Sequence, residues 1–408
     1  MAGMSNPTPL TIERVVGHVV MCGLDFTYSS GTLSRASAII WEIHAAGFVG
    51  LGECGMASEQ SCPGFQGAGD DVGDDAGSGA AKGDSDALQR SLEPRVAGLV
   101  GCDATKLEAL LQPMPAKVDW DLLIIREGLS IALHDLVGRA TGLPVHALLG
   151  GKRRDDMPGM PVVHVGPTDV MARRAGKWAA AGYRHLKVKF RGQLDEDVAA
   201  MRAVRETIGD RVELAVDANA GYHDIDDAAR AIDALKPFDI AYFEDMLDAD
   251  HAQIAQLRKR TGVRIMIDRQ AWWPQVHDIV AAGAADLINH HPNNQGGLGA
   301  AMKIDAVATA AGVETAIGSC GFFGIQNAAF MQLASVIGLT RPCEDVGLLP
   351  YYEGPTAGEY AFDREPSVIR KHYPIHAGSI RIPDGPGLDV ELDHDRLDRC
   401  KVGEIQYP

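Results

Sequence analysis

The 408-residue chain reads as an α/β protein, a closed βα barrel with a smaller α+β unit in front of it. Three observations lead there. Between residues 126 and 350, short apolar strands alternate with helix-like stretches at least six times, and such alternation implies parallel pairing. No GxGxxG opens the series, which favours a closed barrel over a doubly wound sheet. The chain also exceeds the ~250 residues of a single barrel, leaving residues 1–125 to form a unit of their own.

That first unit opens with the strand-like "TIERVVGHVV" and "SAIIWEIHAAGFVGLGEC" and continues with helical sequence. Near residues 66–86 it carries "GAGDDVGDDAGSGAAKGDSD", where Gly and Asp leave too little apolar surface to offset ordering, so a mobile insertion is expected. The barrel region includes "HLKVKF" (185–190), then Asp195 as the expected N-cap of a helix with Val198, Met201, Val204 and Ile208 on one face. "VELAVDAN", "IAYFED", "VRIMID", "ADLINHH" and "VETAIGSC" follow as further strands. Residues 351–408 include "AGSIRIPDGPGLDVELD", a strand-and-turn segment expected to return and pack on the first unit.

Composition excludes several function classes. A formal charge of −17 argues against nucleic-acid or anionic-membrane partners. No apolar run approaches the ~20 residues that span a bilayer, and the first residues lack a signal peptide's basic and apolar regions. Seven scattered cysteines without a CxxC pair suggest reduced thiols in a cytoplasm.

Each barrel strand ends in a polar residue: Asp217, Glu244, Asp268, His290 or His291, and Cys320. The C-terminal ends of barrel strands share one mouth, where chemistry is located. Taken singly, each carboxylate reads as a helix N-cap or a loop ion pair. Three that converge repel one another unless a cation lies between them, and an all-oxygen set suits Mg²⁺. "HLKVKF" alternates, so Lys187 and Lys189 face either water or the barrel interior. With Leu186, Val188 and Phe190 packed on the outer helices, the lysines point inward. A lysine near a divalent cation and a second ammonium has its neutral form favoured, as a general base requires; this suits Lys189, while Lys187 stays protonated and neutralises a substrate carboxylate.

"GLSIALHDLVGRATGLPVHALLGG" (128–151), "KVK" (187–189), "VDAN" (216–219), "YFED" (242–245), "MID" (266–268), "NQGGLG" (294–299) and "CEDVG" (343–347) resemble the enolase superfamily, in its mandelate racemase/muconate lactonizing enzyme branch. The resemblance implies a modified TIM barrel, (β/α)₇β, with an N-terminal α+β capping domain completed by the C-terminal segment. It implies Mg²⁺ on Asp217, Glu244 and Asp268, abstraction of the proton α to a carboxylate, and a homo-oligomer. Asn219 and Glu344 are expected at the substrate, with an ordinary ion pair as the alternative for Glu344. Arg269 either holds a substrate anion or pairs with a ligand carboxylate.

The family pattern breaks on the second face of the mouth. His291 stands where muconate-cycloisomerase relatives have a lysine, and Cys320 where the mandelate-racemase type has a histidine. His291 can supply a proton near neutrality; alternatively, His290 or His291 merely bonds a loop. Cys320 is a small packing residue or an acid at the substrate. The leading expectation is dehydration of a hydroxy-acid, with Lys189 as base and His291 as acid. The alternatives are racemisation, epimerisation or cycloisomerisation with His291 as second base, and, more remotely, a non-catalytic binding protein. Specificity is expected from the loops at 24–32 and 51–60, with hydroxyls from Tyr28 and Ser30.

Overall fold

The computed structural model describes residues 9–28, 31–55, 85–112, 119–318, 323–344, 367–371 and 373–408. Most of the Gly/Asp-rich insertion, Ser30 and Cys320 lie outside them, as does the side chain of Tyr28.

The N-terminal unit is an antiparallel meander of β1 (Arg14–Tyr28), β2 (Gly31–Ala45) and β3 (Phe48–Gly55), covered by α1 (Ser85–Val96), α2 (Leu107–Leu110) and α3 (Trp120–Thr141). The sheet buries Val15, Val19, Ile39, Trp41 and Ile43 against Leu92, Leu129, Leu133 and Leu136 of the helices. Backbones approach closely at this interface. A Cβ on Gly52 would stand 2.1 Å from the Gly128 carbonyl oxygen of α3. The 22-residue α3 is capped by the Asp119 carboxylate, which accepts from Leu122 N at 3.0 Å. It runs straight through the domain boundary expected at residue 125, so the break between units falls after this helix. The apolar face of α3 belongs to β2 and β3, which ties it to the cap.

After α4 (Val145–Leu148) come β4 (Asp156–Met160) and β5 (Val162–Val163), two halves of one strand divided at Pro161, which has no N–H to donate. The barrel continues through α5 (Thr168–Ala180), β6 (His185–Lys189), α6 (Leu194–Ile208), β7 (Glu213–Asp217), α7 (Ile225–Leu235), β8 (Ile240–Glu244), α8 (His251–Thr261) and β9 (Ile265–Ile267). Next are α9 (Val276–Ala282), β10 (Leu287–His290), α10 (Pro292–Gln295), α11 (Leu298–Ala310), β11 (Glu314–Ile317), α12 (Ile325–Ala334) and β12 (Cys343–Glu344). Neighbouring strands pair in parallel from β5 to β12, and β12 pairs in parallel with β4. The split first strand therefore closes the circle. Eight strands with seven long intervening helices make a (β/α)₇β barrel.

Leu186, Val188 and Phe190 pack outward against Trp178, Met201 and Val204. Inside, Met160, Ala215, Tyr242, Met266, Leu287 and Ala316 fill a layer beneath the mouth. The N-cap of α6 is Gln193, not Asp195, which lies in the first turn. The buried Asp197 carboxylate gathers the N–H groups of Arg191, Gly192 and Gln193, and the helix starts beneath that loop.

The C-terminal segment divides between the two units. "AGSIRI" forms β13 (Ile375–His376) and β14 (Ser379–Arg381), and β14 pairs with the first residues of β4, in the barrel and not in the cap. Those residues are open to an antiparallel partner because β12 pairs only with the last two of β4. Further on, Leu388 N donates to Asp135 of α3 at 2.7 Å. After α13 (His394–Cys400), β15 (Lys401–Tyr407) pairs antiparallel with β1 and completes the capping sheet. Among the described residues no helix is long and apolar enough to cross a membrane.

Candidate active site

Lys187 and Lys189 both point into the barrel. Lys187 is fully buried, with Nζ 2.7 Å from Glu244 Oε2, 2.7 Å from Glu344 Oε2 and 3.3 Å from Asp217 Oδ2. Burial opposes its charge, but those three carboxylates outweigh it and hold the ammonium well above its usual range. Lys189 lies nearer the opening and donates to Asp217 Oδ2 at 2.5 Å and Asn219 Oδ1 at 3.0 Å. Strand register explains the pairing. Lys189 and Asp217 are cross-strand partners, and so are Asp217 and Glu244. Burial also opposes the charge on Lys189, yet Asp217 beside it raises the net affinity for the proton. The neutral form expected of Lys189 is tied to a divalent cation beside it; with Asp217, which Lys187 also approaches, as its partner, the ammonium form is favoured.

The acids divide between the two sides. Burial works against the charge of Asp217, but Lys189 and then Lys187 keep it well below the usual carboxylate range. Glu244 is pushed well up by burial and by Glu344. Asp268 is pushed up to about 7, first by burial, and its Oδ1 is buried without a hydrogen-bond partner. Asp245, beside Glu244 in sequence, is also pushed up to about 7 by burial and Asp268; it accepts from the backbone N–H groups of Asp268 and Arg269. The carboxylates of Asp217, Glu244, Asp245, Asp268 and Glu344 outnumber the two ammonium groups.

Among the described residues no three acidic, His or Cys side chains are gathered tightly enough around one point to ligate an ion. The Lys187 ammonium lies among the carboxylates instead. The donor chemistry still fits a hard divalent cation: buried carboxylate oxygens on successive strand ends, a shortage of positive charge, and an unpartnered oxygen on Asp268.

On the far side, His291 follows β10 with its Nε2 3.5 Å from Asp268 Oδ2. Its ring occupies the space over Gly318, where a Cβ would come within 1.8 Å of that Nε2. His290 points outward and is fully buried, 3.1 Å from Gln295 Oε1. Of the two histidines, His291 faces the carboxylates. Arg269 is exposed and donates to the Asn219 carbonyl at 3.2 Å, so it touches the carboxylate cluster only through backbone. Glu344 is ion-paired with Lys187 at 2.7 Å and accepts from Asn289 at 3.0 Å.

Three residues of the site were not singled out from the sequence. Asn289 donates to Glu244 at 3.1 Å and to Glu344 at 3.0 Å; its signal was the inward parity it shares with His291. Asp245 offered its place beside Glu244. His164, just after β5, is buried near Lys189 and Arg174, and burial and those charges push its pKa down to about 3, so it is neutral. Its only sequence signal was a lone histidine at a strand end. A cavity of about 440 Å³ opens beside Lys189 between the first turns of α5 and α6, lined by Val165, Pro167, Met171, Arg191 and Asp195.

Comparison with known proteins agrees with this architecture. Residues 12–150 match the mandelate racemase/muconate lactonizing enzyme N-terminal domain, and residues 170–396 match the enolase C-terminal domain-like family. N-succinyl-L-Arg/Lys racemase of Bacillus cereus is 25% identical over 317 residues, covering 77% of this chain and 81% of its own. Its crystal structure superposes with a TM-score of 0.81 at 23% identity, covering 98% of this chain and 100% of that one. The 3,6-anhydro-alpha-L-galactonate cycloisomerase of Streptomyces coelicolor is 30% identical over 322 residues, covering 75% of this chain and 81% of its own. The dipeptide epimerase of Cytophaga hutchinsonii, crystallised with Mg and D-Ala-L-Val, superposes with a TM-score of 0.78 at 21% identity, covering 98% of this chain and 100% of that one. With the cap, the (β/α)₇β barrel and the lysine–carboxylate mouth in place, the chain belongs to the mandelate racemase/muconate lactonizing enzyme branch of the enolase superfamily and is an enzyme of its lyase and isomerase kind.

Proposed function

We propose that this enzyme isomerises a small carboxylic acid by moving the proton on the carbon α to its carboxylate, with Lys189 on one face and His291 on the other. The observation that carries this is their placement around the barrel. Lys189 ends β6, the second barrel strand, and His291 follows β10, the sixth. In a closed eight-stranded barrel, strands four apart face each other across the axis. A group from each side can therefore address opposite faces of one carbon, as inversion requires: one takes the α-proton and the other returns a proton to the far face.

Lys187, held protonated among Asp217, Glu244 and Glu344, supports the negative charge around the substrate carboxylate. Asp217, Glu244 and Asp268 would hold Mg²⁺; the Mg in the dipeptide epimerase structure supports the choice of ion. When bound, the ion supplies positive charge against the anion that develops as the α-proton leaves. The quoted relatives catalyse racemisation, epimerisation and cycloisomerisation, which moves the reading from the dehydration expected of the sequence towards isomerisation. The odd, scattered cysteines support a cytoplasmic setting.

The test is incubation with Mg²⁺ in D₂O against N-succinyl amino acids, dipeptides and hydroxy-acids. Deuterium at the α-carbon with inversion, and no keto-acid, is the expected result. A keto-acid product without inversion would overturn isomerisation in favour of dehydration.

A further inference from the structure

His291 lies beyond the end of β10, where the ladder no longer dictates its direction, and it opens α10, a helix of four residues. A single turn has no stability of its own in water. Something else must hold this imidazole over Gly318 and beside Asp268. The neighbouring side chains supply it. His290, fully buried behind the strand, places Nδ1 3.1 Å from Gln295 Oε1. Gln295, the last residue of α10 and also buried, donates from Nε2 to the Ala271 carbonyl at 2.7 Å. Ala271 N in turn bonds the Asp268 carbonyl at 2.9 Å. On the other flank, Gly318 N donates to the His290 carbonyl at 2.8 Å.

These contacts also place a proton on His290 Nδ1. A backbone carbonyl can only accept, so the amide nitrogen of Gln295 faces Ala271 and its oxygen faces His290. An amide oxygen also only accepts, so His290 Nδ1 carries a proton. His290 Nε2 is turned towards Asp305 Oδ1, 3.8 Å away, and Asp305 is itself anchored by Thr315 Oγ1 at 3.1 Å and Gly338 N at 2.9 Å. The chain of contacts runs from the loop that carries Asp268, through Gln295 and His290, to α11 and β11. It links the two segments whose separation sets the His291–Asp268 distance.

We propose that His290 and Gln295 form a clasp that positions His291 for the second face of the substrate. Both are positioning residues, since neither touches the mouth. The catalytic meaning of the clasp rests on the two-face reading above, but its existence does not, and the two are separable by experiment. Gln295→Met keeps the length of the side chain and removes both hydrogen bonds. His290→Leu removes the donor, whereas His290→Asn restores a donor near the position of Nδ1.

Histidine ¹⁵N spectra of the full-length protein, without any substrate, should show one resonance pair with Nδ1 protonated, assigned to His290 by its loss in His290→Leu. In Gln295→Met that tautomer signature should be lost, and a crystal structure of the variant should show the His291 ring displaced from Gly318. His290→Asn should return the ring to its place. If the ring keeps its position over Gly318 in both Gln295→Met and His290→Leu, the clasp is overturned. A displaced ring without any change in one-face deuterium exchange would leave the clasp standing and count against the two-face reading instead.

Discussion

On the Lys189 side of the mouth, each functional group is set by strand register: Lys189 opposes Asp217, and Asp217 opposes Glu244, as paired residues of β6, β7 and β8. On the His291 side, Asp268 and His291 both lie one residue past their strands, and loops and buried side chains hold them. The first side is closely ion-paired, with Asp217 well below the usual carboxylate range. The second leaves Asp268 pushed up to about 7 with an oxygen unpartnered. A lysine built into a ladder is placed by strand register, whereas a histidine carried by a loop depends on contacts between residues distant in sequence.

The strongest way to break this comparison is Lys189→Ala. It should lower α-deuterium incorporation by about 10³-fold, within the range a general base contributes, while calorimetry still shows Mg²⁺ binding. Exchange within tenfold of wild type would remove Lys189 as the base.

The second side should fail separately. His291→Asn should leave exchange at the Lys189 face and reduce exchange at the opposite face by about 10²-fold. Gly318→Ala should imitate it without altering any titratable group, because the new methyl would come within 1.8 Å of His291 Nε2. Equal loss on both faces in these variants would contradict the division of labour.

Metal and pH sharpen the contrast further. Asp268 and Asp245 are pushed up to about 7 from 3.8, so the folded chain holds protons that the unfolded chain has already lost. Stability without metal is unaffected below about pH 4, where both states are protonated, and falls as pH rises from there to about 7. Mg²⁺ requires the ionised carboxylates. Its increment to the melting temperature should therefore be larger at pH 8 than at pH 5. An increment independent of pH would detach these acids from the ion.

The smallest effect belongs to the well-anchored side. The Tyr222 hydroxyl donates to Asp197 at 2.8 Å, and Asp197 also binds the loop that follows Lys189. Tyr222→Phe should cost about 1 kcal/mol in denaturant unfolding, with little change in exchange at either face. A loss of tenfold or more in exchange at the Lys189 face would show that this loop does more than hold the fold.

Much of the fold was legible. Alternating apolar strands and amphipathic helices encode a parallel barrel, because burial of both strand faces demands that pattern. What could not be read was who pairs with the C-terminal strands. β14 joins the barrel and β15 the cap, and both are short, ordinary strand sequences whose partners are chosen by which edges are open. The N-cap at Gln193 was hidden likewise, since Asp195 looks like a cap until the buried Asp197 is seen collecting the loop N–H groups.

By itself the sequence determined that Lys187 and Lys189 share one face of "HLKVKF", that acids end successive strands and that a histidine follows the sixth, because side-chain parity and order along the chain are local properties. Only the tertiary structure decided that His291 and not its neighbour faces Asp268, that Asn289 bridges Glu244 and Glu344, and that Lys187 is shared among three carboxylates. Those outcomes depend on which strand ends meet, which loops are tied together and how deeply charges are buried, quantities that exist only once distant segments have packed.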